Sequence, residues 1–113
     1  MPYIKITTTK KVNDDTGCEL FKELGKAIEL LPGKTEEWLM LSLHDGERMA
    51  FRGSTEDCAM VEVELFGKAT DSAKSALTAE LCRIVTDKIK APSSRTYVTY
   101  REVEAWGYDG ENF

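Results

Sequence analysis

The chain has 113 residues and a formal net charge of −5, which arises from 20 acidic residues against 15 lysines and arginines. This length is typical of one domain, and we expect a single domain spanning residues 1–113. The acidic surplus repels phosphate groups, so no nucleic-acid partner is expected. No apolar run exceeds four residues, whereas a membrane-spanning helix needs about 20, so no membrane partner is expected either.

The cysteines and the first residues indicate a compartment. Cys18, Cys58 and Cys82 are odd in number, widely spaced and without a CxxC pair, which argues against a disulfide framework and favours a reducing environment. The first residues lack the basic and apolar segments of a signal peptide. A cytoplasmic location is therefore the default expectation, while secretion without a signal peptide stays open.

The first half of the chain predicts a strand, a helix and a second strand. Residues 3–8 alternate between apolar and polar side chains, as in a strand with one buried face. Apolar residues at helical spacing over 15–31 predict an amphipathic helix that ends at Pro32. Residues 38–44 alternate again and predict a second strand. The turn-rich sequence that follows contains a further short strand, expected near Met49–Phe51.

The second half repeats this pattern. Residues 60–66 alternate as a strand, and a helix is predicted from about 71 to 90 by its apolar stripe. Residues 96–101 predict the last long strand. The tail contains Trp106–Gly110, a sequence typical of a hairpin or a capping turn.

Each half is thus a strand–helix–strand unit, whose strands are expected to be parallel because a helix joins them by a right-handed crossover. The predicted fold is α+β with two layers, a tandem β-α-β pseudo-repeat forming a four-stranded mixed sheet with two helices on one face. The other face mixes apolar with charged side chains, which hints at a subunit interface. Its expected members are Lys5, Trp38, Met40, Glu62, Glu64, Tyr97 and Arg101.

The residue inventory excludes several kinds of catalytic site. A catalytic triad or a Cys–His pair would need His44, the single histidine, and no acid lies at a spacing that marks such a triad. Zinc needs three or four clustered cysteine, histidine or carboxylate ligands, and the sequence clusters none. Glycine-rich phosphate-binding motifs are absent as well. No metal and no cofactor are therefore expected.

Pro2 has the most specific chemical interpretation. A proline after the initiator methionine is common and mostly has no role. If Met1 is removed, however, Pro2 becomes a secondary amine at the start of a strand. An ordinary α-amino group titrates at about 7.7–8.0, and burial against apolar walls lowers that pKa. A neutral amine in such a place can act as a general base on a carbon acid.

Several short motifs accompany this proline in a specific order along the whole chain. They are Gly33-Lys34 after the first helix, His44-Asp45, Met49-Ala50-Phe51, Gly53-Ser54-Thr55-Glu56, Phe66-Gly67 at the end of the third strand, Arg95-x-Tyr97-Val98-x-Tyr100, and the tail from Trp106 to Phe113. In these features the sequence resembles macrophage migration inhibitory factor and its bacterial relatives, in the tautomerase superfamily.

The resemblance implies a trimeric tautomerase fold, with active sites between the subunits of a homotrimer. Members of this family interconvert the keto and enol forms of phenylpyruvate-type acids and isomerise dopachrome analogues, without a cofactor or metal. The implied activity is that of an isomerase. The implied partner is a small aromatic α-keto acid.

The resemblance also implies roles for individual residues. Pro2 matches the catalytic proline, and Lys34 matches the lysine that binds the substrate carboxylate. Phe66 matches the residue whose backbone N–H helps to hold that carboxylate. The other matches line the pocket: Tyr97, contributed by the neighbouring subunit, Tyr108 at the pocket mouth, and Trp106 beside it.

Two departures from the family pattern affect these expectations. Thr99 occupies a position where animal members often carry asparagine. Because threonine is shorter, its polar group extends less far into the pocket. The CxxC motif of the animal proteins is reduced to Cys58 alone, so a thiol-oxidoreductase activity lacks its resolving cysteine. Cys58 is therefore expected to be a buried structural residue.

Two other functions stay open at this point. The chain could be an interaction protein or cytokine mimic with a vestigial active site, with a host receptor as partner if it is secreted. It could also catalyse dehalogenation or hydration of an unsaturated acid. That chemistry requires arginines and a water-activating carboxylate beside Pro2. Near Phe66 the sequence shows only Lys68, so this alternative ranks last.

Overall fold

The computed structural model describes residues 1–113 and contains one four-stranded sheet. Its strands are β1 (Pro2–Thr8), β2 (Met40–His44), β3 (Ala59–Phe66) and β4 (Thr96–Val103). The spatial order is β2-β1-β3-β4. β1 is parallel to β2 and β3 is parallel to β4, whereas β1 and β3 are antiparallel. This topology confirms the predicted α+β fold with its tandem β-α-β repeat.

Two α-helices follow the first and third strands, namely α1 (Asp14–Ala27) and α2 (Asp71–Ile84). The side chains of Asn13 and Thr70 each accept a hydrogen bond from the amide three residues further on, at 2.8 and 3.1 Å. These caps satisfy donors that the first helical turn leaves without partners. A membrane crossing would need a longer and more apolar helix than any in this structure. Shorter helical segments are Ile28–Leu30, Glu36–Trp38 and Ser93–Arg95, which are 3-10 turns, and Val85–Ile89, which is π-helical.

The hydrophobic core lies between the helices and one face of the sheet. β1 and β3 alternate strictly between buried and partly exposed residues, as expected for strands with a single buried face. The core side chains come from both strands and both helices and are at most 1% exposed: Ile4, Ile6, Val61, Val63, Leu65, Leu20, Leu24, Leu77, Leu81 and Ile84. The opposite face of the sheet has no layer of this chain packed against it.

The second predicted strand begins later than expected. Trp38 lies in a 3-10 turn, and β2 starts only at Met40, which pairs with Tyr3. The preceding residue of β1, Pro2, has no N–H with which to extend the ladder. The prediction that placed Trp38 in a strand on the mixed sheet face is therefore wrong, and the chain turns away from the sheet at this point.

The prediction of a short strand near Met49–Phe51 is also wrong. Phe51 makes only an isolated bridge to Ser54. Arg52 and Gly53 between them both have positive φ angles, 53° and 74°, so the chain reverses within two residues and cannot continue as a strand.

The tail forms the predicted hairpin. Its two short strands are β5 (Gly107–Tyr108) and β6 (Glu111–Asn112). Asp109 and Gly110 connect them with φ angles of 51° and 83°, the conformation that a two-residue Asp-Gly turn requires. The N–H of Phe113 then donates to the carbonyl oxygen of Trp106 at 2.9 Å, which holds the end of the chain against the start of the hairpin.

Candidate active site

Pro2 occupies the start of a central strand. β1 is paired on both sides, and Pro2 lies opposite Leu65 of β3 and is buried. Pairing of this kind holds a position that frays in most chains. Pro2 borders a cavity of about 620 Å³ at the end of the sheet, called here the N-terminal pocket. Its other walls are built mainly by Met1, Tyr3, Trp38, Met40, Glu64, Trp106 and Tyr108.

Met1 fills the end of this pocket next to β3. Its carbonyl oxygen accepts a hydrogen bond from the N–H of Phe66 at 3.0 Å. Burial, the charge of Lys34 and a hydrogen bond with Lys34 together lower the pKa of the Met1 amine below its usual value. An amine at this end of the chain therefore lies in surroundings that favour its neutral form.

Lys34 lies on the other side of Phe66. Its Nζ donates to the carbonyl oxygen of Phe66 at 3.0 Å. Gly33, with φ of 82°, turns the chain after the first helix, and the N–H of Lys34 donates to the carbonyl oxygen of Leu31 at 3.0 Å. The structure thus brings Pro2, Lys34 and the N–H of Phe66 together, and a cation beside a backbone donor can hold a carboxylate.

Aromatic side chains form an outer wall of the site. Tyr108 packs edge-on against Trp38, with ring centroids 5.2 Å apart, and stacks on Phe113 at 6.4 Å. Phe113 in turn contacts the ring of Phe66 at 5.8 Å. Trp38 and Tyr108 line the pocket and are 43% and 51% exposed, so they present apolar surface to anything that enters it.

Trp38 lines the pocket and is not among the residues predicted for it. It was assigned to a strand. The sequence does contain a signal for Trp38, because it is an aromatic residue four positions after Lys34. Trp106 and Tyr108, which the resemblance assigned to the pocket, do line it.

Tyr97 lies far from Pro2 within the chain. It pairs with Met60, which pairs with Thr7, so it is five positions along the sheet from Pro2, about 17 Å at strand spacing. Its ring packs edge-on against Phe51 at 4.9 Å and is 60% exposed. One chain alone therefore does not bring Tyr97 into the N-terminal pocket, and only a second copy could do so.

The pocket contains carboxylates that the sequence analysis did not place there. Glu37 and Glu64 both line it, and Glu64 Oε1 lies 3.5 Å from the Arg101 guanidinium. Lys68, the one charged residue noted near Phe66, borders a second cavity, which Phe66 also lines. The acidic side chains next to Pro2 therefore remove one of the reasons for which hydration chemistry was ranked last.

Cys58 is buried, at 3% exposure, as predicted. Its N–H donates to Thr9 Oγ1 at 3.1 Å, and its carbonyl oxygen accepts from Thr8 Oγ1 at 2.9 Å. These contacts connect the end of β1 to the start of β3. They support a structural role for this segment.

The sequence matches the profile of the family described as macrophage migration inhibitory factor (MIF) over residues 1–113. Macrophage migration inhibitory factor of Xenopus laevis is 30% identical over 118 residues, which cover 100% of this chain and 99% of that protein. A solved macrophage migration inhibitory factor homologue from Prochlorococcus marinus is 32% identical with a TM-score of 0.89, and 98% of each chain is covered. Leishmania major MIF2 is 27% identical with a TM-score of 0.94, covering 100% of this chain and 97% of that one. The chain therefore belongs to the macrophage migration inhibitory factor family, within the tautomerase superfamily.

Proposed function

We propose that this chain is a cofactor-free keto–enol tautomerase that acts on phenylpyruvate-type α-keto acids and, by the same chemistry, on dopachrome analogues. Pro2 is its general base once Met1 has been removed. The observation that carries the proposal is that Lys34 contacts Phe66 and the N–H of Phe66 contacts Met1, next to Pro2, which borders a pocket with aromatic walls. Membership of the family supports a tautomerase-like or MIF-like function.

Lys34 and the N–H of Phe66 bind the substrate carboxylate in this proposal. Loss of Met1 removes the carbonyl that now accepts from Phe66, so that N–H becomes free to donate to a substrate. Its hydrogen bond and the ammonium of Lys34 together favour an anion over a neutral group. Trp106 and Tyr108 supply apolar contacts for the aryl ring and keep water from the base.

Pro2 moves the proton. Its nitrogen takes a proton from the carbon next to the keto group, and the electron pair of that C–H bond becomes the carbon–carbon double bond of an enolate. The negative charge moves to the former keto oxygen, which then takes the proton back from the Pro2 ammonium and becomes an enol. No net proton is consumed, so one group serves as base and then as acid in both directions.

The working unit of the proposal is a homotrimer. The mixed face of the sheet has no covering layer within the chain, and it exposes Met40 and Tyr97 at 68% and 60%. Exposed apolar surface of this kind is typical of an interface. A neighbouring subunit would supply Tyr97 to each pocket, where a single chain lacks it.

The experiment is a direct assay of tautomerisation. Protein shown by intact-mass measurement to lack Met1 is mixed with the enol form of phenylpyruvate, and ketonisation is followed by ultraviolet absorbance. We expect a rate well above that of buffer alone, with the rate proportional to protein concentration. A processed, folded protein that leaves the buffer rate unchanged would overturn the tautomerase proposal.

A second candidate is an interaction protein with a vestigial site. It applies if Met1 is retained, because Met1 then occupies the donor of Phe66 and makes the Pro2 nitrogen an amide. An amide nitrogen has no basic lone pair. If the protein isolated from its own cells keeps Met1 while remaining folded and trimeric, the interaction function becomes the better account.

A further inference from the structure

Charges of opposite sign lie in separate places around the N-terminal pocket. Lys34 contacts Phe66 next to the pocket, whereas two carboxylates, Glu37 and Glu64, line the pocket itself. The neutral aryl group of a phenylpyruvate-type substrate would form an ion pair with neither carboxylate. From this separation we propose that Glu64 is a specificity-determining residue, which selects α-keto acids whose far end carries a positive charge. This inference rests on the proposed tautomerase function and narrows its substrate class.

The register of β3 places Glu64 where the far end of a substrate would lie. Pro2 is opposite Leu65, so the carboxylate-binding N–H of Phe66 lies on one side of that position and Glu64 on the other. Glu64 and Phe66 are two residues apart, which separates them by about 7 Å along the strand and directs both side chains to the same face. That separation is comparable with the length of an arylmethyl group, so a substrate held at Phe66 reaches towards Glu64.

Within one chain, the carboxylate of Glu64 has a single ion-pair partner. This partner is Arg101, at 3.5 Å, and the Arg101 side chain is 75% exposed. An ion pair of this length and exposure contributes little because water screens it. A bound cation that excludes water from the pocket would therefore compete well for Glu64.

The aromatic wall supports the same assignment. Trp38 and Tyr108 line the same pocket as the two carboxylates, with their rings perpendicular and their centroids 5.2 Å apart. The face of a tryptophan or tyrosine ring attracts a cation. An ammonium or guanidinium at the far end of an α-keto acid would thus meet carboxylates and ring faces, whereas an anion there would be repelled.

The test compares three phenylpyruvates with different para substituents. One carries an aminomethyl group, which is cationic, one an ethyl group of similar size, and one a carboxyl group. With protein that lacks Met1, we expect kcat/KM to be about tenfold higher for the aminomethyl than for the ethyl substrate, as for one charge-assisted hydrogen bond. The carboxyl substrate should be the poorest of the three.

Variants assign the preference to Glu64. Glu64→Gln keeps the shape of the side chain and should reduce the ratio of aminomethyl to ethyl kcat/KM towards one, mainly through KM. Glu64→Asp keeps the charge and should retain part of the preference. Glu62→Gln is the matched control, because Glu62 lies on the same strand and face, pairs opposite Lys5 and does not line the pocket. Its ratio should equal that of the unmodified protein.

The outcomes separate this inference from the tautomerase proposal. Equal kcat/KM for aminomethyl and ethyl substrates would overturn the role of Glu64 and leave the tautomerase function intact. Turnover of none of the three would overturn the tautomerase function. In that case, calorimetry with the same acids tests the role of Glu64. Equal dissociation constants for the aminomethyl and ethyl acids would overturn that role. Tighter binding of the aminomethyl acid that is lost in Glu64→Gln would support it.

Discussion

The amide of Phe66 donates a 3.0 Å hydrogen bond to the carbonyl oxygen of Met1. The first residue of the chain thus occupies a donor that the proposed mechanism needs for the substrate carboxylate. The same residue converts the Pro2 nitrogen into an amide. Met1 is therefore expected to block substrate binding by its hydrogen bond with Phe66, and catalysis by its peptide bond with Pro2.

Retention of Met1 should abolish turnover and also weaken carboxylate binding. We expect no tautomerase rate above buffer and at least about a tenfold loss in affinity for a non-reactive α-keto acid analogue, since one charge-assisted hydrogen bond is lost. The comparison uses processed and unprocessed protein, both confirmed trimeric, with calorimetry for binding. Equal rates in the two forms would rule out Pro2 as the base.

Lys34→Ala should raise KM for phenylpyruvate more than it lowers kcat. Lys34 is assigned to binding the carboxylate, which is the same in the ground state and the transition state, and uniform binding energy is expressed in KM. We expect an increase of about tenfold or more, as for a charge-assisted hydrogen bond. Lys22→Ala, which removes an exposed lysine on α1, should leave KM unchanged. An unaltered KM in Lys34→Ala would show that Lys34 does not bind the substrate carboxylate.

The activity of the processed protein should rise with pH through one apparent pKa. The Pro2 amine is inactive when protonated, so kcat/KM increases as the pH passes that pKa. Burial and then Lys34 lower the pKa of the Met1 amine in this place, and the same surroundings should lower that of Pro2 below the usual value of about 7.7–8.0. Lys34→Ala removes a repulsive cation and should move the profile to higher pH. A profile that falls with rising pH would contradict a free-amine base.

Pro2→Gly tests the amine without removing it. Glycine at the processed terminus keeps a primary amine, so part of the activity should remain. Pro2→Ala also keeps an amine and should lose more only if the geometry of the strand start is disturbed. Both variants are compared by kcat for phenylpyruvate after intact-mass confirmation that Met1 is absent, and full activity in both would show that the ring of Pro2 is not needed.

Mixed trimers should show that Pro2 and Tyr97 act from different chains. Because the two are five positions apart in the sheet, a site needs Pro2 from one copy and Tyr97 from another. Co-refolding a Met1-retained chain with a processed Tyr97→Ala chain should restore activity, since some sites then combine a free Pro2 with an intact Tyr97. A chain carrying both defects should restore none when mixed with Tyr97→Ala. Light scattering that shows a monomer at micromolar concentration would remove the shared site altogether.

Tyr100→Phe should lower the free energy of unfolding by about 1 kcal/mol. The hydroxyl of Tyr100 donates to the carbonyl oxygen of Lys74 at 2.9 Å and lies 2.8 Å from Thr78 Oγ1, so it connects β4 to α2. Guanidinium unfolding at one fixed protein concentration measures the change. Tyr108→Phe, at a half-exposed position, is the control and should alter stability much less.

The order of strands and helices was determined by the sequence itself. Alternation over residues 3–8 and 60–66 and the apolar stripes of the two helices are local properties, because each depends on the period of one segment. The parallel pairing within each unit also followed, since a helical crossover leaves few alternatives. The Asp-Gly turn in the tail is local chemistry of the same kind.

Site residues were predicted only at positions where this sequence carries a motif of the family. Pro2, Lys34 and Phe66 follow from the resemblance, and the structure brings them together. Trp38 escaped prediction because alternation over 38–44 suggested a strand, whereas the absence of an N–H on Pro2 ends the ladder before it. Tyr108 lines the pocket, and the hairpin that carries it has its own turn signal.

Only the tertiary structure decided which distant side chains share the pocket. Trp38 contacts Tyr108, and both line the same pocket as Glu64 and Pro2. These contacts depend on strand register and on where each turn directs the chain. A shift of one residue in β3 would send Glu64 to the opposite face, and no pattern within β3 alone specifies which residue of β1 it will face.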